Sequence, residues 1–219
     1  MKRVDAQLPR PGKGHLRLFL MRHGETERGC EAMLYGHTDV ALSPIGIEQS
    51  RRLVSELEAR PLDAIYSSDL SRAVFAAQMI ADSRGLTTQI LRELREAYMG
   101  KWEGKTLSEV AIAQPEMISC LYTDPSEFRY PEGESFIEVQ ARVEQALCRI
   151  LEAHTEGEIA IMTHGGVSRL IIGRMIELPP RNLLRLSQDF GCLNVIDLFD
   201  GQPIIRLLNY VPGAGCCLP

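Results

Sequence analysis

The feature that most limits the folds open to this chain is a repeated change of hydrophobic period. Short unbroken apolar runs give way to longer segments whose apolar residues recur every three or four positions. The apolar run Leu16 to Met21 precedes a helical segment from Pro44 to about Glu58, with Ser43 placed as N-cap and Pro44 at the first helical position. Ala64 to Tyr66 is a second short strand. A helix from about Leu70 to Ser83 follows it, with Ala73, Ala77 and Ile80 on one face and Gly85 as its stop. Thr87 to Leu91 is the third strand. From Arg92 to Pro131 the composition is mixed, with short helices expected around Leu107 to Ala113 and Glu116 to Leu121, and this segment is expected to cover something. Phe136, Val139, Val143, Leu147, Ile150 and Leu151 then mark a long helix from about Glu134 to His154, whose apolar stripe needs a sheet to rest on. Ile159 to Met162 is a continuous apolar strand of the buried parallel type, leading through Thr163, His164, Gly165 and Gly166 into a helix from about Val167 to Glu177. Val195 to Phe199 and Ile204 to Leu208, separated by Asp200, Gly201, Gln202 and Pro203, read as a terminal hairpin.

Alternation of this kind predicts an α/β fold, a three-layer αβα sandwich with a mostly parallel central sheet and helices on both faces. The expected division is a flexible lead-in over 1–15, a single domain over 16–211 in which 92–131 is the covering segment, and a tail over 212–219. A hydrophobic fraction of 45% and a charged fraction of 24% are those of an ordinary globular protein, which excludes collagen-like and disordered classes. The net charge of −5 argues against nucleic acid or an anionic membrane as a main partner, so any anion site must be local. No stretch approaches the roughly 18 apolar residues that span a bilayer, and the N-terminus lacks an apolar signal core, so a cytoplasmic location is expected. The six cysteines show no C-x-x-C spacing; reduced thiols, and no zinc, are expected. Cys216 stands four from the end, but a terminal Pro219 does not suit a prenylation box.

In open α/β sheets ligands bind beyond the carboxyl ends of the strands, which directs attention to the residues that follow them. Arg22 and His23 follow the first strand, Arg72 lies just past the second, Glu96 comes shortly after the third and His164 follows the fourth. Each alone reads more readily as a solvated turn or a helix cap. Together, two arginines and two histidines make a positive site for a small anion. Guanidinium forks match phosphate oxygens two at a time, and the Gly165-Gly166 turn offers backbone N–H groups at a helix start. A carboxylate would repel a bound anion, so Glu96 among these cations points to acid–base chemistry on a leaving oxygen. An imidazole can itself accept a phosphoryl group as nucleophile.

The blocks around these residues occur together. Leu20-Met21-Arg22-His23-Gly24-Glu25-Thr26, Tyr35-Gly36-His37-Thr38-Asp39 with Leu42-Ser43 and Gly46, and Tyr66-Ser67-Ser68-Asp69-Leu70-Ser71-Arg72-Ala73 come first. Leu94-Arg95-Glu96 with Gly100-Lys101-Trp102-Glu103-Gly104, Pro131-Glu132-Gly133-Glu134-Ser135-Phe136 and Thr163-His164-Gly165-Gly166 follow. In this order, over about residues 16 to 170, they resemble the motifs of the histidine phosphatase superfamily, also called the phosphoglycerate mutase-like family. The resemblance implies that His23 is a phosphorylated nucleophile, that Arg22, Arg72, His164 and the Gly165 turn hold phosphoryl oxygens, and that Glu96 is the proton donor. It implies no cofactor and no metal.

Two departures stand out. Many family members carry an Asn seven residues after the signature Arg, where this chain has Gly29. The segment between Glu96 and Gly133 is shorter than in the cofactor-dependent mutases, and their adjacent arginine pair has no counterpart, since Arg129 stands alone. The Gly29 departure implies looser phosphate binding or a wider substrate range, while the short covering segment and the missing arginine pair favour the phosphatase branch, a phosphomonoesterase acting on a small phosphorylated metabolite such as α-ribazole phosphate or a sugar phosphate. A phosphoglycerate mutase and a non-catalytic phospho-ligand sensor are the alternatives, and a homodimer is left open. Candidate substrate contacts are Thr26, His37, Tyr98, Lys101 and Arg129, with Lys105, Phe128 and Tyr130 also in the covering segment. Trp102 is expected to be packing, His37 serves a turn as readily as a pocket mouth, and His15 and His154 are expected at the surface.

Overall fold

A computed structural model describes residues 14–213. Most of the expected lead-in and tail, Cys216 and Cys217 included, lies outside the described residues. Strand β1 (His15–Arg22) is followed by α1 (Pro44–Leu57), β2 (Ala64–Ser67), α2 (Ser71–Asp82) and β3 (Thr88–Ile90). Then come α3 (Leu107–Ala113), α4 (Pro115–Thr123), α5 (Phe136–Ala153), β4 (Gly157–Thr163), α6 (Gly165–Met175), β5 (Leu193–Phe199) and β6 (Gln202–Tyr210). Local chemistry sets several of these starts. The Ser43 hydroxyl accepts the Gly46 N–H ahead of Pro44, and α3 and α5 open on capping boxes, Thr106 with Glu109 and Ser135 with Glu138.

The six strands pair in the order β3-β2-β4-β1-β5-β6. The first four run parallel, and β5 lies antiparallel between β1 and β6 as the expected hairpin. Alternate residues divide between two cores. Leu16, Leu18, Leu20, Ile159 and Ile161 face α5 and α6, while Phe19, Met21, Ile65, Ala160 and Met162 face α1 and α2. Burying one Leu or Ile stabilises by roughly 1.5–3 kcal/mol, so these two faces, more than local propensity, hold the sheet. Register then places the site: Arg22 pairs with Thr163 and Ser67 with Met162, so β1, β4 and β2 end side by side at the same level.

The covering segment has its own small core of Trp102, Val110 and Phe128. Trp102 is packing, as expected: it is 1% exposed and its Nε1 donates to Gln114 Oε1 at 2.8 Å. Two histidine placements differ from expectation. His15 is buried, with Nε2 3.0 Å from Asp197 Oδ1, because β5 covers the start of β1 and carries a carboxylate there. His154 is half-buried and shares a 2.8 Å hydrogen bond with the Tyr66 hydroxyl, since the end of α5 packs over β2. Cys120, Cys148 and Cys192 are free thiols. Among the described residues no helix is long and apolar enough to cross a membrane.

Candidate active site

At the shared end of β1, β4 and β2 the His23 and His164 rings lie 5.0 Å apart, nearly edge to face. The His23 backbone is anchored to the sheet by its N–H, which donates to Thr163 O at 3.1 Å. Its Nδ1 is 2.7 Å from Gly24 O; a carbonyl only accepts, so Nδ1 carries the hydrogen and Nε2 keeps its lone pair in the neutral ring. His164 Nε2 is 2.8 Å from the Ser68 hydroxyl. Arg72 reaches the same place from the first turn of α2, with Nη1 donating to Thr38 O at 2.8 Å and Nη2 to Gly36 O at 2.6 Å. Glu103 organises that loop by accepting the backbone N–H groups of His37 and Thr38, each at 2.7 Å.

Burial dominates the electrostatics. It holds both imidazoles well below the ordinary histidine value, reinforced at His23 by Arg22 and then Arg72, and at His164 by Arg72, His23 and Arg22. Burial also pushes the Arg22 guanidinium down to about 10 and lowers Arg72. Arg22 Nε and His164 Nδ1 are buried without a hydrogen-bond partner among the described residues. Orphaned buried donors beside two guanidinium groups are what an oxyanion would satisfy.

Glu96, 9% exposed, lies in the turn after β3 and within electrostatic reach of Arg22 and Arg72. Its Oε2 accepts the Gly166 N–H at 2.8 Å and its Oε1 the Ala97 N–H at 2.9 Å. The Gly166 donor of the glycine turn is thus committed to a carboxylate. Gly165 lies between two guanidinium groups instead: a Cβ there would stand 3.2 Å from Arg169 Nη1 and 3.3 Å from Arg22 Cζ. Behind Glu96, Arg142 of α5 spends all five donors. Nε and Nη2 grip Glu134, Nη1 reaches the carbonyls of Glu93 and Arg95, and Nη2 also reaches that of Glu96, at 2.6–2.9 Å.

Several of these residues escaped the sequence reading. Arg142 left a faint signal, a charge adjoining the apolar stripe three residues after Val139. The loop before β5 left none. There the Phe190 ring centroid lies 3.9 Å from Arg22 Cζ and 5.7 Å from the His23 ring centroid. Arg22 Nη1 donates to the Gln188 carbonyl, and the buried Gln188 amide exchanges hydrogen bonds with Asn194 at 3.0 and 2.8 Å. Phe190 also faces the departure at position 29, since a Cβ on Gly29 would stand 3.5 Å from its Cε2.

The five strand-end residues therefore converge, whereas the expected outer contacts are more dispersed. Thr26 is buried and bridges to Leu42. Lys101 pairs with Glu132 at 2.5 Å and Arg129 with Glu138 at 2.7 Å, both on exposed surface. The His37 ring lies tilted against that of Tyr98, centroids 5.2 Å apart, with Nε2 3.9 Å from Glu134 Oε2.

Comparison with known proteins identifies the family. The sequence model of the histidine phosphatase superfamily (branch 1) matches residues 18–211. The chain is 31% identical to the adenosylcobalamin/α-ribazole phosphatase of Escherichia coli K12 over 194 residues, 89% of this chain and 96% of that one. It is 32% identical to a metal-independent phosphoserine phosphatase of Arabidopsis thaliana, over 86% of this chain and 79% of that one. The crystal structure of the α-ribazole phosphatase of Shigella flexneri superposes with a TM-score of 0.80 at 31% identity, covering 89% of this chain and 96% of that one.

Proposed function

The chain belongs to the histidine phosphatase superfamily, and from that membership we propose that it is a phosphomonoesterase, hydrolysing a small phosphorylated metabolite through a phosphohistidine on His23. The observation that carries the mechanism is the His23 ring. It is kept neutral by burial and by Arg22 and Arg72, and Nδ1–H is tied to Gly24 O, so Nε2 is free to attack.

In the first half-reaction, Nε2 attacks phosphorus in line. The ester P–O bond breaks with its electron pair on the leaving oxygen, which takes a proton from the Glu96 carboxylic acid. In the second, the Glu96 carboxylate takes a proton from water as the water oxygen attacks phosphorus, and the P–N pair returns to Nε2. Arg22 and Arg72 supply fixed positive charge to the transferring oxygens. His164 adds a donor: with the Ser68 hydroxyl donating to Nε2, Nδ1 carries the hydrogen and the phosphoryl oxygen is its acceptor. The names of the relatives make α-ribazole phosphate and phosphoserine the first substrates to try.

The test follows inorganic phosphate and phosphoglycerate isomers from p-nitrophenyl phosphate, α-ribazole phosphate, phosphoserine and 3-phosphoglycerate. Vanadate-sensitive phosphate release, abolished in a folded His23→Ala variant, is expected. Isomer interconversion without release would mean a mutase, and wild-type turnover by His23→Ala would end the nucleophile assignment. Glu96→Gln is expected to slow alkyl esters more than p-nitrophenyl phosphate; equal losses would refute its acid role.

A further inference from the structure

A cavity of about 90 Å³ opens directly beside Glu96 and Gly166. Glu96 and the Gly166 that donates to it are part of its lining, and the rest comes from the covering segment and from α5, α6 and the loop after α6. In-line displacement places the departing oxygen opposite His23, and Glu96 is the group that would protonate it. The cavity therefore lies on the leaving-group side, an assignment that rests on the phosphomonoesterase reading.

The walls are apolar. Leu121, Phe128, Tyr130, Phe136, Leu170 and Leu184 line it, and Glu96 and Arg169 are the only charged residues among its lining. The aromatic wall is rigid: Phe128 and Tyr130 meet edge to face at 4.9 Å, and Trp102 backs both at 5.4 Å. Arg169 is anchored by Nε, which donates to Leu186 O at 2.7 Å, and its Nη1 is turned toward Gly165 and Arg22, the phosphate end. A carboxylate or ammonium group on the leaving alcohol would lose its water here against hydrocarbon. An aryl or alkyl body would gain from the same burial.

We infer that this chain selects phosphomonoesters of alcohols with a compact apolar or aromatic body, held in the cavity beside Glu96, over esters whose leaving alcohol carries a charged head group. Lys101 and Arg129, paired on the surface with Glu132 and Glu138, are outside the lining of this cavity.

The experiment compares 2-phenylethyl phosphate, ethyl phosphate and O-phosphoserine, all esters of primary alcohols, the first two closely matched in leaving-group basicity and serine the better leaving group. The phenylethyl ester is expected to exceed each of the others in kcat/KM on the order of 10²-fold. The ratio is expected to fall below about 10 in the Leu121→Gln, Leu184→Gln double variant. A second measurement needs no turnover: calorimetric affinity for 2-phenylethylphosphonate against ethylphosphonate, with a ratio of the same order expected. Equal rates and equal affinities would overturn the inference while leaving the phosphatase intact. Preference for phosphoserine, lost in Arg169→Met, would overturn it in favour of a carboxylate site at Arg169. A retained affinity ratio without hydrolysis of any ester would support the cavity and refute the phosphatase.

Discussion

Alanine at position 166 is expected to separate activity from stability. Gly166 lies in the first turn of α6, where alanine is the better helix former by up to about 1 kcal/mol, and its backbone needs no positive φ. A Cβ there, however, would overlap Glu96 Oε1 and stand 3.1 Å from Cδ and 3.2 Å from Oε2. Restoring ordinary contact moves the carboxylate by about 1 Å, a displacement that costs on the order of 10²-fold in rate when a reacting group is misplaced. That is about 2.7 kcal/mol of transition-state stabilisation. The loss belongs to protonation of the leaving oxygen, so kcat/KM for an alkyl ester is expected to fall about 100-fold in Gly166→Ala, and for p-nitrophenyl phosphate less than about 10-fold. The melting temperature is expected to hold or rise. Steady-state phosphate release with both esters and a thermal melt together decide it. Equal losses on the two esters, or an alkyl-ester rate within twofold of wild type, would refute the role given to Glu96 geometry. Gly165→Ala is a contrasting control, because the nearest neighbours of its Cβ would be guanidinium atoms at 3.2–3.3 Å, and it is expected to affect both esters alike.

The same logic applies behind Glu96. Arg142→Ala frees the carbonyls of Glu93, Arg95 and Glu96 together with Glu134, and is expected to cost about 2 kcal/mol in a denaturant melt and to slow alkyl esters more than p-nitrophenyl phosphate. Arg142→Lys is expected to recover part of the ester selectivity, and a purely structural role would show as equal loss on both esters. For pH, His23 and His164 titrate well below their unfolded value of about 6.5. The unfolded chain therefore binds more protons, and the stability they contribute is complete above about pH 6.5 and lost as pH falls toward their folded values. The melting temperature is expected to drop from pH 7 to pH 5, less steeply in His164→Gln. A flat profile in the wild type would contradict the depressed values.

Element order was legible because each strand or helix signals itself within its own residues. The run Leu16 to Met21, the Ser43-Pro44 start and the stripe from Phe136 to Leu151 each depend on neighbours a few positions away. The strand-end positions of Arg22, His23, Arg72, Glu96 and His164 could be read the same way. Local pattern alone, however, placed His15 and His154 at the surface, because their burial depends on what β5 and α5 lay over β1 and β2.

What required the folded chain was every relation between distant residues. The order β3-β2-β4-β1-β5-β6 and its register bring His23, Ser68 and His164 to one level. Only that assembly sets Gly166 against Glu96, wraps Arg142 around the turn at 93–96, and lays Phe190 over Arg22. The physical reason is range. Periodicity and capping act across one turn or one pleat, so a single segment encodes them. A hydrogen bond between residues 70 apart, or a ring stacked on a guanidinium 168 positions earlier, exists only once two apolar cores have been packed on opposite faces of one sheet.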